Sequence, residues 1–139
     1  MSTEGATWLF DLGNSRLKGA LLESGGLADP FSLGWETAGF DAALRARLAG
    51  WDTPRRVLIA SVVVTSRADR LREALQAWPQ AQVQWLRSPR CACGITNRYA
   101  IPERLGIDRF LAMAAARAGA DDAAVVVIGC GTALTLDAV

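Results

Sequence analysis

The chain has 139 residues, close to the roughly 150 of an average domain, which gives room for one sizeable core and not for two complete ones. Its 15 Lys and Arg against 14 Asp and Glu leave a net charge of +1 with no basic run, which argues against a nucleic-acid or anionic-membrane binder held by bulk electrostatics. It contains no histidine, so Ser-His-Asp and Cys-His nucleophiles, H-E-x-x-H zinc sites and imidazole bases are excluded, and acid–base chemistry falls mainly to carboxylates.

The stretch TWLFDLGNSRLKGALLE predicts a hairpin, strand 7 to 12 and strand 15 to 23. Trp8, Leu9 and Phe10 form a buried-type run, Gly13-Asn14 is a turn signal, and Leu17, Gly19 and Leu21 alternate with Arg16, Lys18 and Ala20. Gly25-Gly26 turns the chain into a weaker third strand, 27 to 35, so the start is antiparallel. Phe40 to Ala49 has helical spacing with Asp41 as its cap and Gly50 as its stop. After Pro54, RRVLIASVVV is a β-branched run of the kind buried on both faces. Thr65 to Trp78 predicts a second amphipathic helix, with Leu71, Leu75 and Trp78 on one side and Pro79 ending it. Val83 to Leu86 is a short strand, and the order so far implies a mixed sheet with helices packed on it.

Residues 87 to 106, with Pro89, Gly94, Pro102 and Gly106 and few apolar anchors, are the least regular part, of the kind found in lids, binding loops and disordered segments. Ile107 to Ala118 is a helix with Phe110, Leu111 and Ala114 on its apolar side and Gly119 closing it. Beyond Ala120-Asp121-Asp122, the strand AAVVVI runs into GCG and an alternating ALTLDAV.

The N-terminus carries Glu4 and only the short apolar run Trp8 to Phe10, unlike a signal peptide. The longest apolar runs, Val57 to Val64 and Ala123 to Ile128, are too short to span a bilayer. Cys91, Cys93 and Cys130 are too few and too irregularly spaced for a structural zinc site, and a Cys91–Cys93 disulfide would be badly strained. The expectation is a soluble protein of the reducing cytoplasm, with buried thiols.

Laid over one another, FDLGNSRLK and IGCGTALTL bring Gly13 onto Gly131 and Asn14 onto Thr132, each in a turn between strands, although two ordinary hairpins can also match this far. A tight Gly turn exposes backbone N–H groups beside a small side-chain donor, a concave anion site, and two such turns facing each other would cradle successive phosphates of a nucleotide. Other phosphate folds fail. There is no G-x-x-x-x-G-K-[ST], and Gly129-x-Gly131 is followed by Leu134 and a strand-like segment where a dinucleotide fingerprint needs a third glycine and a helix.

DLGNSRLK at Asp11 to Lys18, GIDR at Gly106 to Arg109 following Tyr99, and GTALTLD at Gly131 to Asp137 resemble the three signature blocks of the type III pantothenate kinases, also described as Bvg accessory factors. The blocks stand in the family's order at similar separations, and the resemblance covers essentially the whole chain. It implies the actin-like, hexokinase-like ATPase fold (ribonuclease H-like), an α/β architecture of two duplicated domains with ATP in the cleft, and usually a homodimer. Here that means a mixed five-stranded sheet with flanking helices over residues 1 to 119, and the first hairpin of a second such domain over 120 to 139. The implied activity is ATP-dependent phosphorylation of pantothenate, the first step of coenzyme A synthesis, by the complete chain; residues 1 to 139 alone are expected to bind nucleotide poorly and not to turn over.

Residue by residue, the resemblance assigns Asp11, Leu12, Gly13, Asn14, Ser15, Arg16, Leu17, Lys18 and Thr132 to ATP, with Asp11 near Mg2+ and the phosphates. It assigns Tyr99, Gly106, Ile107, Asp108 and Arg109 to pantothenate, with Asp108 as the catalytic proton acceptor and Arg109 as a two-donor fork for the substrate carboxylate. Each has a plainer reading. Asp11 can be a turn cap, Lys18 a solvated lysine, Asp108 a helix-start carboxylate stabilised by the macrodipole, Arg109 a surface ion-pair partner, Tyr99 a packed loop residue and Thr132 a strand former. Asp137 is a second cleft carboxylate or an exposed strand residue, and Asn97 and Arg98 carry no assignment. Gly129 departs from the pattern: many family members carry aspartate there, helping to bind an activating K+ or NH4+, and with glycine offering no carboxylate, dependence on such an ion is expected to be weak, met by other oxygens, or absent. A non-catalytic accessory protein that keeps a nucleotide or pantothenate cleft is the alternative, and a kinase of the same superfamily with another acceptor is a third reading.

Overall fold

A computed structural model of the chain describes residues 5–120 and 123–139, so Glu4 and Asp121-Asp122 lie outside the described residues. The chain groups into a unit ending at Trp85 and a unit running from Leu86 to Val139. The grouping differs from a break at 119/120, because the last hairpin associates with the helix and loop that precede it.

The first unit is built around strand β1 (Ala6–Leu12), whose alternation buries Trp8, Phe10 and Leu12 on one face. β1 pairs antiparallel with β2 (Arg16–Glu23), and β2 pairs antiparallel with β3 (Gly26–Gly34). On its other side β1 runs parallel to β4 (Pro54–Ser61), which runs parallel to β5 (Gln82–Trp85). The resulting five-stranded sheet has the order β3-β2-β1-β4-β5. Both parallel connections pass through a helix, α1 (Phe40–Ala49) and α2 (Thr65–Leu75), as parallel neighbours require. Phe40, Leu44 and Leu48 of α1 and Ala68, Leu71 and Leu75 of α2 join Trp8, Phe10, Leu12, Val57 and Ile59 in one core.

Aromatic rings fill much of that core. Trp8 meets Trp78 and Trp51 edge-on at 4.8 Å and 5.2 Å, and Trp35 stacks on Phe40 at 5.1 Å. Gly19 is required by this packing: a Cβ there would drive into the Phe31 ring and come within 3.0 Å of Phe10.

Several predicted boundaries move. The apolar run after Pro54 leaves the sheet at Ser61, because Val64 becomes the residue that caps α2, with two thirds of its surface exposed. The second helix stops at Leu75, and Trp78 reaches Trp8 from a following turn in which its N–H donates to Leu75 O at 3.0 Å. α1 starts from Gly39 in the left-handed region, with no side-chain cap. Asp41, predicted as that cap, instead accepts a two-donor ion pair from Arg70, at 2.8 Å and 3.1 Å, and the guanidinium holds its carboxyl below the usual range.

In the second unit, segment 87 to 106 is more ordered than its composition suggests. Short strands β6 (Cys91–Ala92) and β7 (Ile95–Thr96) pair across Cys93 and Gly94, both at positive φ, and Pro102–Arg104 forms a 3-10 turn. Helix α3 (Ile107–Ala118) buries Ile107, Phe110 and Met113. Leu111, predicted on the apolar side, is exposed, because the buried stripe runs one position earlier. Strand β8 (Val126–Cys130) starts later than predicted, passes through Gly129, and pairs antiparallel with β9 (Leu134–Ala138).

The Gly19 packing sets a test: Gly19→Ala lowers stability by about 1–3 kcal/mol in urea unfolding, from overpacking against Phe31 and Phe10.

Candidate functional site

In the first unit, the site is the turn between β1 and β2. Burial of Trp8, Phe10 and Leu12 puts Asp11 on the opposite face, directly across from Lys18, with Lys18 Nζ 3.4 Å from Asp11 Oδ2. Both side chains are about half exposed, so the pair can open toward another ligand at little cost. Gly13 N–H donates to Arg16 O at 3.0 Å and closes the turn. All three turn carbonyls are occupied: Gly13 O accepts from the Trp35 indole at 2.8 Å, Ser15 O from Trp35 N–H at 3.2 Å, and Asn14 O from Arg67. The Asn14 and Ser15 N–H groups have no acceptor among the described residues. A turn whose carbonyls are tied back and whose N–H groups are open presents positive potential, the chemistry an anion needs.

In the second unit, α3 opens with Asp108, exposed and without a partner among the described residues, in its first turn. Beside it Arg109 turns to Asp137 on β9, its Nε 2.9 Å from Oδ2 and its Nη2 on Oδ1. Hydrogen bonding by Asp137, strengthened by its charge, raises the Arg109 pKa further. The Arg109 edge assigned to a substrate carboxylate is therefore held by Asp137, and Asp137 is almost buried, at 11% side-chain exposure, where a plain strand residue would face water. Arg109 Nη1 also lies 3.4 Å from Tyr99 Oη, so Tyr99, Arg109 and Asp137 form one cluster.

Tyr99 is held by residues with no assignment in the sequence. Arg90 donates to the carbonyls of Asn97, Tyr99 and Ala100 at 2.9, 2.7 and 3.0 Å. Asn97, buried, accepts from Tyr99 N–H at 3.1 Å and donates to Pro102 O at 2.9 Å. No local pattern signals the Arg90 role, since the groups it serves are backbone carbonyls, whereas the Asn97–Tyr99 bond is the short-range bond to the N–H two residues on that asparagine commonly makes. Gly106 and Ile107 start α3, and Thr132 lies exposed in the β8–β9 turn, where Gly131 N–H donates to Ala133 O.

The two Gly turns match less closely than their sequences. Asp11 pairs with Lys18, but Gly129 pairs with Thr135, one residue earlier than the overlay requires, because three residues separate Cys130 from Leu134 where four separate Leu12 from Leu17. A shift of one reverses the faces of the second strand. Thr135 thus stands over Gly129, and a Cβ at 129 would lie 2.5 Å from Thr135 Oγ1. A carboxylate at 129 does not fit here without moving Thr135, and the described residues hold no cluster of three acidic, Cys or His side chains. The residues present do not fit a carboxylate-held monovalent cation at this position.

The family model of the type III pantothenate kinases matches residues 8–139. The chain belongs to that family. Type III pantothenate kinases similar to it include those of Dechloromonas aromatica, 42% identical over 68% of this chain and 39% of the relative, and Halorhodospira halophila, 38% identical over 93% and 52%. That of Xanthomonas campestris is 38% identical over 94% of this chain and 51% of its own length. The chain thus spans about half the length of the curated relatives it matches. The family has the actin-like ATPase fold, in keeping with the mixed five-stranded sheet and three helices. A crystal structure of Archaeoglobus fulgidus Pelota aligns with a TM-score of 0.45 at 12% identity, over 81% of this chain and 36% of that one, too loosely to bear on this chain.

The cluster sets a second test. Asp137→Asn removes the charge from Arg109's partner and lowers stability by about 1–3 kcal/mol, read by chemical denaturation.

Proposed function

We propose that the complete protein transfers the γ-phosphoryl group of ATP to the primary hydroxyl of pantothenate, giving 4'-phosphopantothenate. The observation that carries this reading is the family match across all three signature blocks, with Asp108 exposed at the start of α3 and without a partner among the described residues.

In this reading the open N–H groups of Asn14 and Ser15 and the ammonium of Lys18 bind nucleotide phosphates, with Thr132 as a further hydroxyl donor. The rest of the Asp11–Lys18 segment shapes that turn. Asp11 would hold Mg2+, which commonly takes one or two carboxylates together with phosphate oxygens and here would neutralise charge on the transferred group. The residues fit that role, since Asp11 is half exposed beside the turn. Tyr99, Gly106, Ile107 and Arg109 contact pantothenate. With its fork held by Asp137, Arg109 offers its remaining N–H groups and its charge, a weaker grip on a carboxylate than a free fork provides.

Asp108 acts as the base. As the pantothenate oxygen bonds to the γ-phosphorus, the bond from that phosphorus to the bridging β–γ oxygen breaks, ADP leaves, and the hydroxyl proton passes to Asp108. A carboxylate suits late proton transfer in a loose transition state.

Residues 120–139 are read as the start of a second ATPase-like lobe. Supporting this, Val126, Ile128, Leu134 and Leu136 are exposed on one face of the β8–β9 hairpin while Asp137 and Thr135 lie on the other, and the relatives are about twice as long. A cytoplasmic setting and a homodimer belong to the same reading. Three free thiols support the former, and no helix among the described residues is long and apolar enough to cross a membrane. Those thiols are exposed, not buried as predicted, because they sit on a hairpin rim and an edge strand.

The complete protein is expected to form ADP with pantothenate, ATP and Mg2+; no ADP above background sinks the reading, and pantothenate binding without turnover favours an accessory role. Asp108→Asn lowers kcat about 10²–10⁴-fold with unfolding unchanged, and retained turnover would remove Asp108 from the base's role. Because Thr135 stands over Gly129, turnover should be the same in K+, NH4+ or tetramethylammonium buffers; strong activation by K+ or NH4+ would show that another set of oxygens holds the ion.

A further inference from the structure

Arg90 gathers three backbone carbonyls of one loop with a single side chain. It precedes β6, and the chain returns after β7 so that Asn97 N–H donates to Arg90 O at 2.8 Å. Its guanidinium then spans three carbonyls of a four-residue stretch, with Nη1 on those of Asn97 and Tyr99 and Nη2 on that of Ala100. Five donors in a rigid plane make this pattern possible, and no carboxylate among the described residues competes for them. Asn97 completes the clamp from inside, with both ends of its amide engaged.

The segment so held carries Tyr99, the chain's single tyrosine, whose hydroxyl is 3.4 Å from Arg109 Nη1. Tyr99 and Ile101 are themselves more than 40% exposed, so burial alone does not fix this stretch. Without Arg90 the carbonyls of 97, 99 and 100 turn to water, and Tyr99 samples many orientations at the entropic cost that ordering it again would carry.

We propose that Arg90 is a positioning residue for the acceptor substrate: it acts through the 97–100 backbone to keep the Tyr99 hydroxyl beside Arg109, and touches neither ATP nor pantothenate. The proposal rests on the reading that Tyr99 and Arg109 receive pantothenate.

The test compares Arg90→Gln and Arg90→Lys with the unsubstituted protein, complete chain in each case. Arg90→Gln is expected to raise KM for pantothenate about tenfold, with KM for ATP within about twofold and the unfolding midpoint nearly unchanged. Arg90→Lys should recover little, because a shorter point charge cannot span three carbonyls. Full recovery by Arg90→Lys, or equal rises in both KM values, would overturn the proposal. A second readout does not depend on the substrate: amide hydrogen exchange at Tyr99 and Asn97 should speed in Arg90→Gln while the α3 amides stay protected. Unchanged exchange at Tyr99 overturns the positioning role even if pantothenate is the substrate. Faster exchange with no pantothenate turnover in any variant supports the positioning of Tyr99 and instead removes the pantothenate reading.

Discussion

The alternation of β1 decides the chemistry of the first unit. A strand has two faces, and burying Trp8, Phe10 and Leu12 under α1 and α2 commits Asp11 to the other face beside Lys18. Moving the register by one would bury the carboxylate among tryptophans, at a cost of several kcal/mol for an unpaired charge. The core therefore fixes the orientation of the acidic group as firmly as any contact at the site.

The turn that follows is held by the same core. Trp35 lies at the end of β3, stacks on Phe40 of α1, and satisfies two of the three turn carbonyls. Arg67 from α2 takes the third and also lies over the Trp35 ring, at 5.7 Å. Helix packing and turn conformation are thus coupled: the indole that anchors α1 also leaves the Asn14 and Ser15 N–H groups as the open ones. An anion site made this way would need no long basic cluster, in keeping with a net charge of only +1.

The second unit solves a different problem, holding the exposed stretch 98–101 between the buried residues Ile95 and Leu105. Arginine serves twice, in opposite ways. Arg90 bonds neutral carbonyls and orders backbone, whereas Arg109 bonds a nearly buried carboxylate and orders two side chains from distant elements. The β8–β9 hairpin it joins has Gly129, Thr135 and Asp137, together with Val127, on the half-covered face and Val126, Ile128, Leu134 and Leu136 outward. That inversion is unusual for a surface hairpin. It makes the Arg109–Asp137 pair a main link from the hairpin to α3.

By itself the sequence determined the order of the longer strands and helices, though not the short β6–β7 pair, the helices 40–49 and 107–118 to the residue, and the three blocks that carry the family. Local signals suffice for these: alternation, helical period and glycine punctuation act between near neighbours. It missed the ends of the run after Pro54 and of the helix at Leu75, because a β-branched residue or a tryptophan is equally at home inside an element or packed just beyond it. Only the tertiary structure decided what Asp41, Asp137, Asn97 and Arg90 do. Their partners lie 29, 28, 5 and up to 10 residues away, and nothing in a local pattern says which acceptor a guanidinium or amide will meet. The one-residue difference between the two Gly turns belongs to the same class, since a register is chosen by the packing of whole faces and not by the turn residues that the two sequences share.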